Sequence, residues 1–226
     1  MQIRNVQPEQ LDSVPYDDEV ARRIHRDIYR FNQLMGNFRW TSNVLKNSLR
    51  PGDRVLEIAA GRGQLIQRLH KEGELIKAGR VAAFDAACPR PPDCPSDVEW
   101  SVCRAEEFTD YADFNVIISC HFLHQLEDSA LHSLGHICSH VDVWIAAEPR
   151  RHLLATSLCR ASALIGMSRD GIGDGLTSIR AGFRKQELPQ LLGLQKEHWQ
   201  LETNETLLGR YGLFAERKSR KEETCI

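Results

Sequence analysis

No apolar run in these 226 residues approaches the roughly 18 needed to cross a bilayer. The opening stretch, Met1 to Pro15, is polar and acidic and carries no basic patch followed by an apolar segment, so nothing in it reads as a secretory leader. The cytoplasm is therefore the expected compartment, and a membrane is not an expected partner. The seven cysteines include no C-x-x-C pair, and their odd number argues against a disulfide framework as well as a zinc ribbon. Reduced thiols and no metal are expected. An excess of positive charge is also missing: 29 basic residues stand against 31 acidic ones, for a net charge of -2. Without that excess there is no driving field for sequence-independent nucleic-acid binding, which favours a small molecule over a polymer as substrate.

What is present is the composition of an ordinary globular domain, 42% hydrophobic and 27% charged. Apolar residues at Val20, Ile24, Ile28, Phe31, Leu34 and Met35 repeat at helical spacing, and the pattern resumes at Val44, Leu45 and Leu49 after Gly36-Asn37. Two helices separated by a turn are predicted. Arg54 to Ala59 reads as a buried strand running into glycines, Gln64 to Lys71 as a helix, and Arg80 to Phe84 as a second strand ending at Asp85. Further strands are predicted at Glu99 to Cys103, Phe114 to Ser119 and Val141 to Ala147, with a helix at Ser129 to Cys138. The prolines between Ala87 and Asp97 exclude a helix there. His198 to Thr203 and Tyr211 to Glu216 suggest a closing antiparallel hairpin. Strands alternating with helices predict an α/β fold, Rossmann-like and doubly wound, with a mainly parallel sheet. The expected organisation is a flexible lead over 1–18, a helical lid over 19–50, the main domain over 51–217 and a disordered tail over 218–226.

The segment Val55-Leu-Glu-Ile-Ala-Ala-Gly-Arg-Gly63 puts an acid in a strand and glycines where the chain turns into a helix. Glycine permits close backbone approach to a ligand, and a helix start offers unpaired N–H groups. The third glycine of a dinucleotide cradle is absent, since position 66 is isoleucine, so a nicotinamide-dependent oxidoreductase is the weaker reading. Asp85, about 20 residues beyond Gly63, has the offset of an acid that accepts ribose hydroxyls.

These residues carry a resemblance. Val55 to Gly63 resembles the first motif of class I S-adenosylmethionine-dependent methyltransferases, and Phe114-Asn-Val-Ile-Ile-Ser-Cys-His-Phe-Leu-His124 resembles their fourth-strand motif. Glu148-Pro-Arg-Arg151, the helix after it and Thr177 to Arg180 are similar, less specifically, to a bacterial subgroup associated with type III polyketide synthases that methylates phenolic products. The resemblance implies a seven-stranded sheet whose last two strands form the hairpin, with S-adenosylmethionine across the carboxyl ends of the first four. It implies that Gly61 and Gly63 face the methionine portion, with Ala59 in the same turn and Glu57 near the amino group. Asp85 would hold the ribose, Ala105 and Glu106 would flank the adenine, and Cys120 and His121 would lie at the methionyl end. The sequence departs from the pattern in two places: alanine occupies both 59 and 60, and Cys103-Arg104-Ala105 replaces a Gly-Asp-Ala turn.

A sulfonium methyl needs only a nucleophile held in line behind it. His121 or His124 is the candidate base for deprotonating an acceptor, and Arg150, Arg151 and Arg180 are candidates to grip an anionic one. The function expected is methyl transfer to a small molecule, with O-methylation of a phenolic or carboxylic acceptor the specific form. The acceptor would be enclosed by the N-terminal helices and the segment Arg150 to Gly182. The alternative is an inactive S-adenosylmethionine-binding partner or sensor. A homodimer stays open. His132, His136 and His140 recur every four residues and are expected to form a solvated stripe rather than a metal site.

Overall fold

In the computed structural model, residues 3–222 are described. Helix α1 (Glu19–Met35) begins at Asp18, whose carboxylate accepts the N–H of Val20, and ends at Gly36, left-handed with φ 70°. The same glycine opens α2 (Asn37–Ser48), so the break falls where the sequence places it. Strand β1 (Arg54–Ile58), helix α3 (Gln64–Lys71) and strand β2 (Arg80–Asp85) make a parallel βαβ unit. The proline-rich crossover to β3 (Val98–Val102) contains no helix. Then come β4 (Val116–Cys120), α4 (Asp128–Ile137) and β5 (Val143–Pro149). Helices α5 (Leu153–Ala161), α6 (Arg169–Ala181) and α7 (Glu187–Leu191) precede the hairpin of β6 (Trp199–Glu205) and β7 (Arg210–Arg217), and α8 (Lys218–Glu222) follows.

The seven strands lie in the order β3-β2-β1-β4-β5-β7-β6, with the first five parallel and β7 antiparallel between β5 and β6. The order reverses between β1 and β4, the switch point outside which open α/β sheets bind ligands. Alternation along each strand divides the core. Leu56, Ile58, Phe84, Ile117 and Trp144 pack on the face shared with α4 and α7. Val55, Val81, Ile118, Val143 and Ile145 pack with Phe38 and Leu45 of α2 and with α3 on the other. A third, smaller cluster of Ala155, Cys159 and Ile179 with Phe31 joins α1, α5 and α6.

The two chain ends depart from expectation. The lead is laid into the body instead of trailing free: Arg4 donates to the carbonyls of Ala181, His124 and Leu126 and pairs with Asp128 at 2.7 Å. Gln10 and Leu11 donate their N–H groups to Asp174, and Glu9 is 6% exposed. The physical reason is that this polar segment supplies partners for buried polar groups of α6 and the loop after β4. The tail is likewise helical over 218–222, where Arg220 is buried and paired with Asp53. Residues 223–226 of the expected tail lie outside the described residues.

Candidate functional site

The carboxyl ends of β1, β2 and β4 meet beneath α1. The β1–α3 turn holds three consecutive odd positions at positive φ: Ala59 at 52°, Gly61 at 56° and Gly63 at 68°. An alanine in this region is strained, and His121, directly after β4, shares the strain at φ 60°. Both strained residues are therefore at the strand ends that frame the switch point. A Cβ on Gly63 would come within 3.2 Å of Pro91 and 3.3 Å of Trp100, so that glycine serves packing as well as conformation, whereas one on Gly61 would meet nothing within 4 Å. Gly61 thus presents bare backbone to open space.

Asp85 organises the turn. Its Oδ2 accepts the N–H of Gly61 at 2.8 Å, and its Oδ1 accepts those of Ala87 and Cys88 at 3.0 and 2.9 Å. A carboxylate has about four lone-pair sites, so three amides leave room for a further donor. Glu57 sits inside the trough, 2% exposed, and its Oε2 has no hydrogen-bond partner among the described residues. Burial, opposed by the N–H of Ile66 and reinforced by the nearby Asp85 charge, pushes its carboxyl up to about 8. That oxygen is therefore open to a polar or cationic partner.

Helix α1 crosses the trough. His25 stands beside Cys88 at 3.9 Å, and further along Asn32 accepts from the Cys120 thiol at 3.2 Å. Asn37, the first residue of α2, donates to Asn32 Oδ1 and to His121 Nε2, both at 2.8 Å. That network assigns the His121 proton to Nδ1. Burial and the neighbouring His124 push the His121 pKa down to about 4, leaving the ring neutral at physiological pH.

His121 is also a wall of a cavity of about 360 Å3 on the other side of α1. Ile28, Phe31, Met35, Ala155, Cys159 and Ile179 give it a mainly apolar lining, and Glu9, His124, Gln125, Asp174 and Ser178 form its polar end. At that end His124 is 1% exposed, with Nδ1 donating to Glu148 at 2.7 Å and Nε2 to Glu9 at 3.3 Å. Burial opposes the charge, but the bonds to Glu148 and Glu9 outweigh it and carry the ring up to about 9. Both carboxyls are held below the ordinary range despite their burial, chiefly by the His124 cation. Glu9 also accepts from Ser178 Oγ and, at 3.1 Å, from Gln125. Burial lifts Asp174 to about 6 against the amides of Gln10 and Leu11.

The other residues singled out from the sequence fall differently. His124 is a locked cation with both nitrogens donating, which removes it as a base. Arg150 bonds Glu205 at 2.7 Å and the Thr206 carbonyl, tying β5 to the hairpin tip. Arg151 is buried against the Gly182 carbonyl and Glu187. Arg180 is exposed, and none of the three lines the cavity. Arg150 and Arg151 are thus engaged with the chain's own carbonyls and acids, away from the cavity. Ala105 follows β3, its carbonyl taking the Tyr111 hydroxyl at 3.0 Å, and Glu106 is an exposed partner of Arg104 at 3.6 Å. His140 lies beyond the end of α4 and contacts the carbonyls of Tyr111 and Phe114, so the three spaced histidines do not share one helix face.

Four residues central to this geometry had no role in the sequence reading: Asn32, Asn37, Glu9 and Asp174. Glu148 is a fifth, read only as part of a resembling segment. Asn32 carried one signal, a polar residue within an otherwise apolar helix stripe.

The Rossmann-like fold, with its seven strands and closing antiparallel hairpin, is one shared with solved methyltransferases. Among solved structures, the chain is similar to the plantazolicin methyltransferase BpumL in complex with SAH, at 12% identity over 89% of this chain and 91% of that one, with a TM-score of 0.67. It is similar also to the plantazolicin methyltransferase BamL in complex with a triazolic desmethylPZN analog and SAH, at 11% identity over 92% of each chain and a TM-score of 0.67. No protein-family model and no curated protein matches the sequence.

Proposed function

We propose that this chain binds S-adenosylmethionine in the trough between β1, β2 and β4 and transfers its methyl group to a small acceptor in the cavity beside His121. The observation that carries the reading is the buried, unpartnered Glu57 oxygen at the end of a glycine turn, which fits the ammonium of the methionyl group. Asp85 would take the ribose hydroxyls, Gly61 would allow close approach, and Cys120, His121 and the Asn32–Asn37 pair would border the methionyl end. The cofactor, when bound, supplies an electrophilic methyl on sulfur. The likeness to methyltransferases crystallised with SAH supports the same assignment.

The chain's own residues then have to bring acceptor and methyl group into line and exclude water. The α1, α5 and α6 walls provide an apolar enclosure, which raises effective concentration and strengthens polar contacts inside it. Its polar end holds Glu9 and Asp174 and no lysine or arginine, and its one cation, His124, already gives both N–H groups to Glu148 and Glu9. A carboxylate acceptor would meet like charge there, so the acceptor is a neutral hydroxyl compound such as a phenol, and the reaction O-methylation. His121, neutral at physiological pH, is the cavity-wall group that can accept a hydrogen bond from the acceptor's hydroxyl, releasing its Asn37 contact to do so; with its basicity lowered, it can take that proton only as the O–CH3 bond forms and the oxygen becomes acidic.

The test is calorimetric titration with S-adenosylmethionine and S-adenosylhomocysteine, followed by a screen of phenols with product detected by mass. Micromolar binding and a product one methyl group heavier are expected. A folded protein that binds neither ligand would remove the reading.

A further inference from the structure

We infer that the mouth of the cavity docks the protein on an anionic lipid surface, from which a lipophilic acceptor enters. Leu34, Leu158, Ile165 and Leu208 line the cavity and are nevertheless 52, 39, 60 and 57% exposed, so they stand at its opening. They come from three separate places: α1, the helical segment after β5, and the tip of the β6–β7 hairpin. Leu153, Leu154, Leu164 and Leu207 extend the same surface outward at 69, 41, 89 and 69%. Tight packing joins these parts, since a Cβ on Gly209 at the hairpin tip would lie 3.3 Å from Ala155 and 3.4 Å from Met35. Eight of the thirteen large hydrophobic side chains exposed among the described residues are gathered here, and scattered exposure would not produce that.

Charge identifies the occupant. Between Glu148 and Asp170 the chain carries no acidic residue; of its four arginines, Arg150 and Arg151 are tied to Glu205 and Glu187, which leaves Arg160 and Arg169. Arg160 is exposed within the leucine-bearing stretch and Arg169 just after it. Arg30 reaches the same place, its half-exposed guanidinium donating to the Gly166 carbonyl at 3.2 Å and standing 3.8 Å from the buried Asp27 carboxylate. A projecting apolar surface accompanied by the exposed Arg30, Arg160 and Arg169 fits a layer of acyl chains beneath anionic headgroups. A second copy of the chain fits poorly, because a two-fold contact through this patch would bring the same arginines together. The lack of a long apolar run, which set a membrane partner aside, bears on spanning and not on docking at the interface. The apolar cavity opening within this surface gives the docking a use, since an acceptor dissolved in the bilayer would pass into it without crossing water.

Sedimentation of the full chain with phosphatidylcholine vesicles, and with vesicles in which a third of the lipid is phosphatidylglycerol, tests this. It requires no cofactor or acceptor, so its result is independent of the methyl-transfer reading. Sedimentation with the anionic vesicles, weakened by high salt, is expected. The double variant Leu153→Asp, Leu164→Asp is expected to lose about tenfold in bound fraction with its melting temperature unchanged, because both positions are exposed and outside the cavity. The inference is overturned if the wild-type protein stays in solution with both vesicle types or if the folded double variant sediments like wild type. Equal binding to both compositions would also overturn it, as would a dimer in sedimentation equilibrium that the double variant dissolves.

Discussion

Glu57 offers the sharpest test of the trough, through the substitution Glu57→Gln. The carboxyl moves from an ordinary 4.5 to about 8 on folding because it is fully buried without a cation. The sign follows from linkage. Below pH 4.5 the group is protonated folded and unfolded and costs nothing. As pH rises from 4.5 to about 8, only the unfolded chain gains by ionising, so wild-type stability falls by ~1.36 kcal/mol per pH unit. The cost is about 3 kcal/mol at pH 7 and about 5 kcal/mol above pH 8. Glutamine keeps the shape and an acceptor for the Ile66 amide but cannot ionise. The variant should therefore match wild type near pH 4.5 and exceed it progressively to pH 8, with a plateau beyond. Each 1 kcal/mol corresponds to roughly 2–4 °C of melting temperature in a domain of this size. Urea or thermal denaturation of both proteins from pH 5 to 9 reads the effect. Saturating S-adenosylhomocysteine should narrow the gap at pH 8, because its ammonium stabilises the charged carboxylate that glutamine lacks. Parallel pH profiles for the two proteins would refute the buried, unpartnered state of Glu57.

Asp85→Ala removes the acceptor of three backbone amides as well as the proposed ribose contact, so calorimetry should show cofactor affinity falling by about 10- to 100-fold and denaturation a loss of about 2–3 kcal/mol. Arg180→Ala should leave acceptor KM within about twofold, whereas Arg151→Ala should cost about 2–3 kcal/mol in urea denaturation by leaving the Gly182 carbonyl without its guanidinium. His124 is raised from 6.5 to about 9, so its cationic contribution is fully present below pH 6.5 and is lost as pH rises through about 9. The destabilisation caused by His124→Gln should accordingly be larger at pH 6 than at pH 9.5, and an equal loss at both would contradict the cation.

The main elements of the sheet were legible because local signals agreed with tertiary demands. Gly36 broke the first two helices, Val55 to Ile58 and Val81 to Phe84 were apolar runs ended by turn residues, and the prolines after Ala87 prevented a helix. The βαβ half of the site was equally open to reading, since Glu57, Gly61, Gly63 and Asp85 lie within one continuous segment. The cavity was not. Its polar end is assembled from Glu9, His124, Glu148, Asp174 and Ser178, and no local pattern reports that residue 9 will meet residue 178. The contacts of Arg150 and Arg151 were hidden for a related reason: whether a guanidinium reaches a ligand or satisfies its own chain depends on neighbours such as Glu205 and Glu187, which are distant in sequence. His124 shows the limit most directly, because two buried carboxylates turned a candidate base into a fixed cation.

The clasp of Glu9 has a consequence for synthesis. Glu9 is made long before its partners: it waits for His124, 115 positions on, and for Ser178, 169 positions on. A chain leaving the ribosome can complete the β1–α3–β2 unit from neighbouring segments, but its early carboxylate cannot gather its full set of partners until α6 has emerged. Closing so long a loop is slow, and the polar end of the cavity must therefore be among the last parts of the molecule to set. An incompletely synthesised chain would own the trough and lack the chamber.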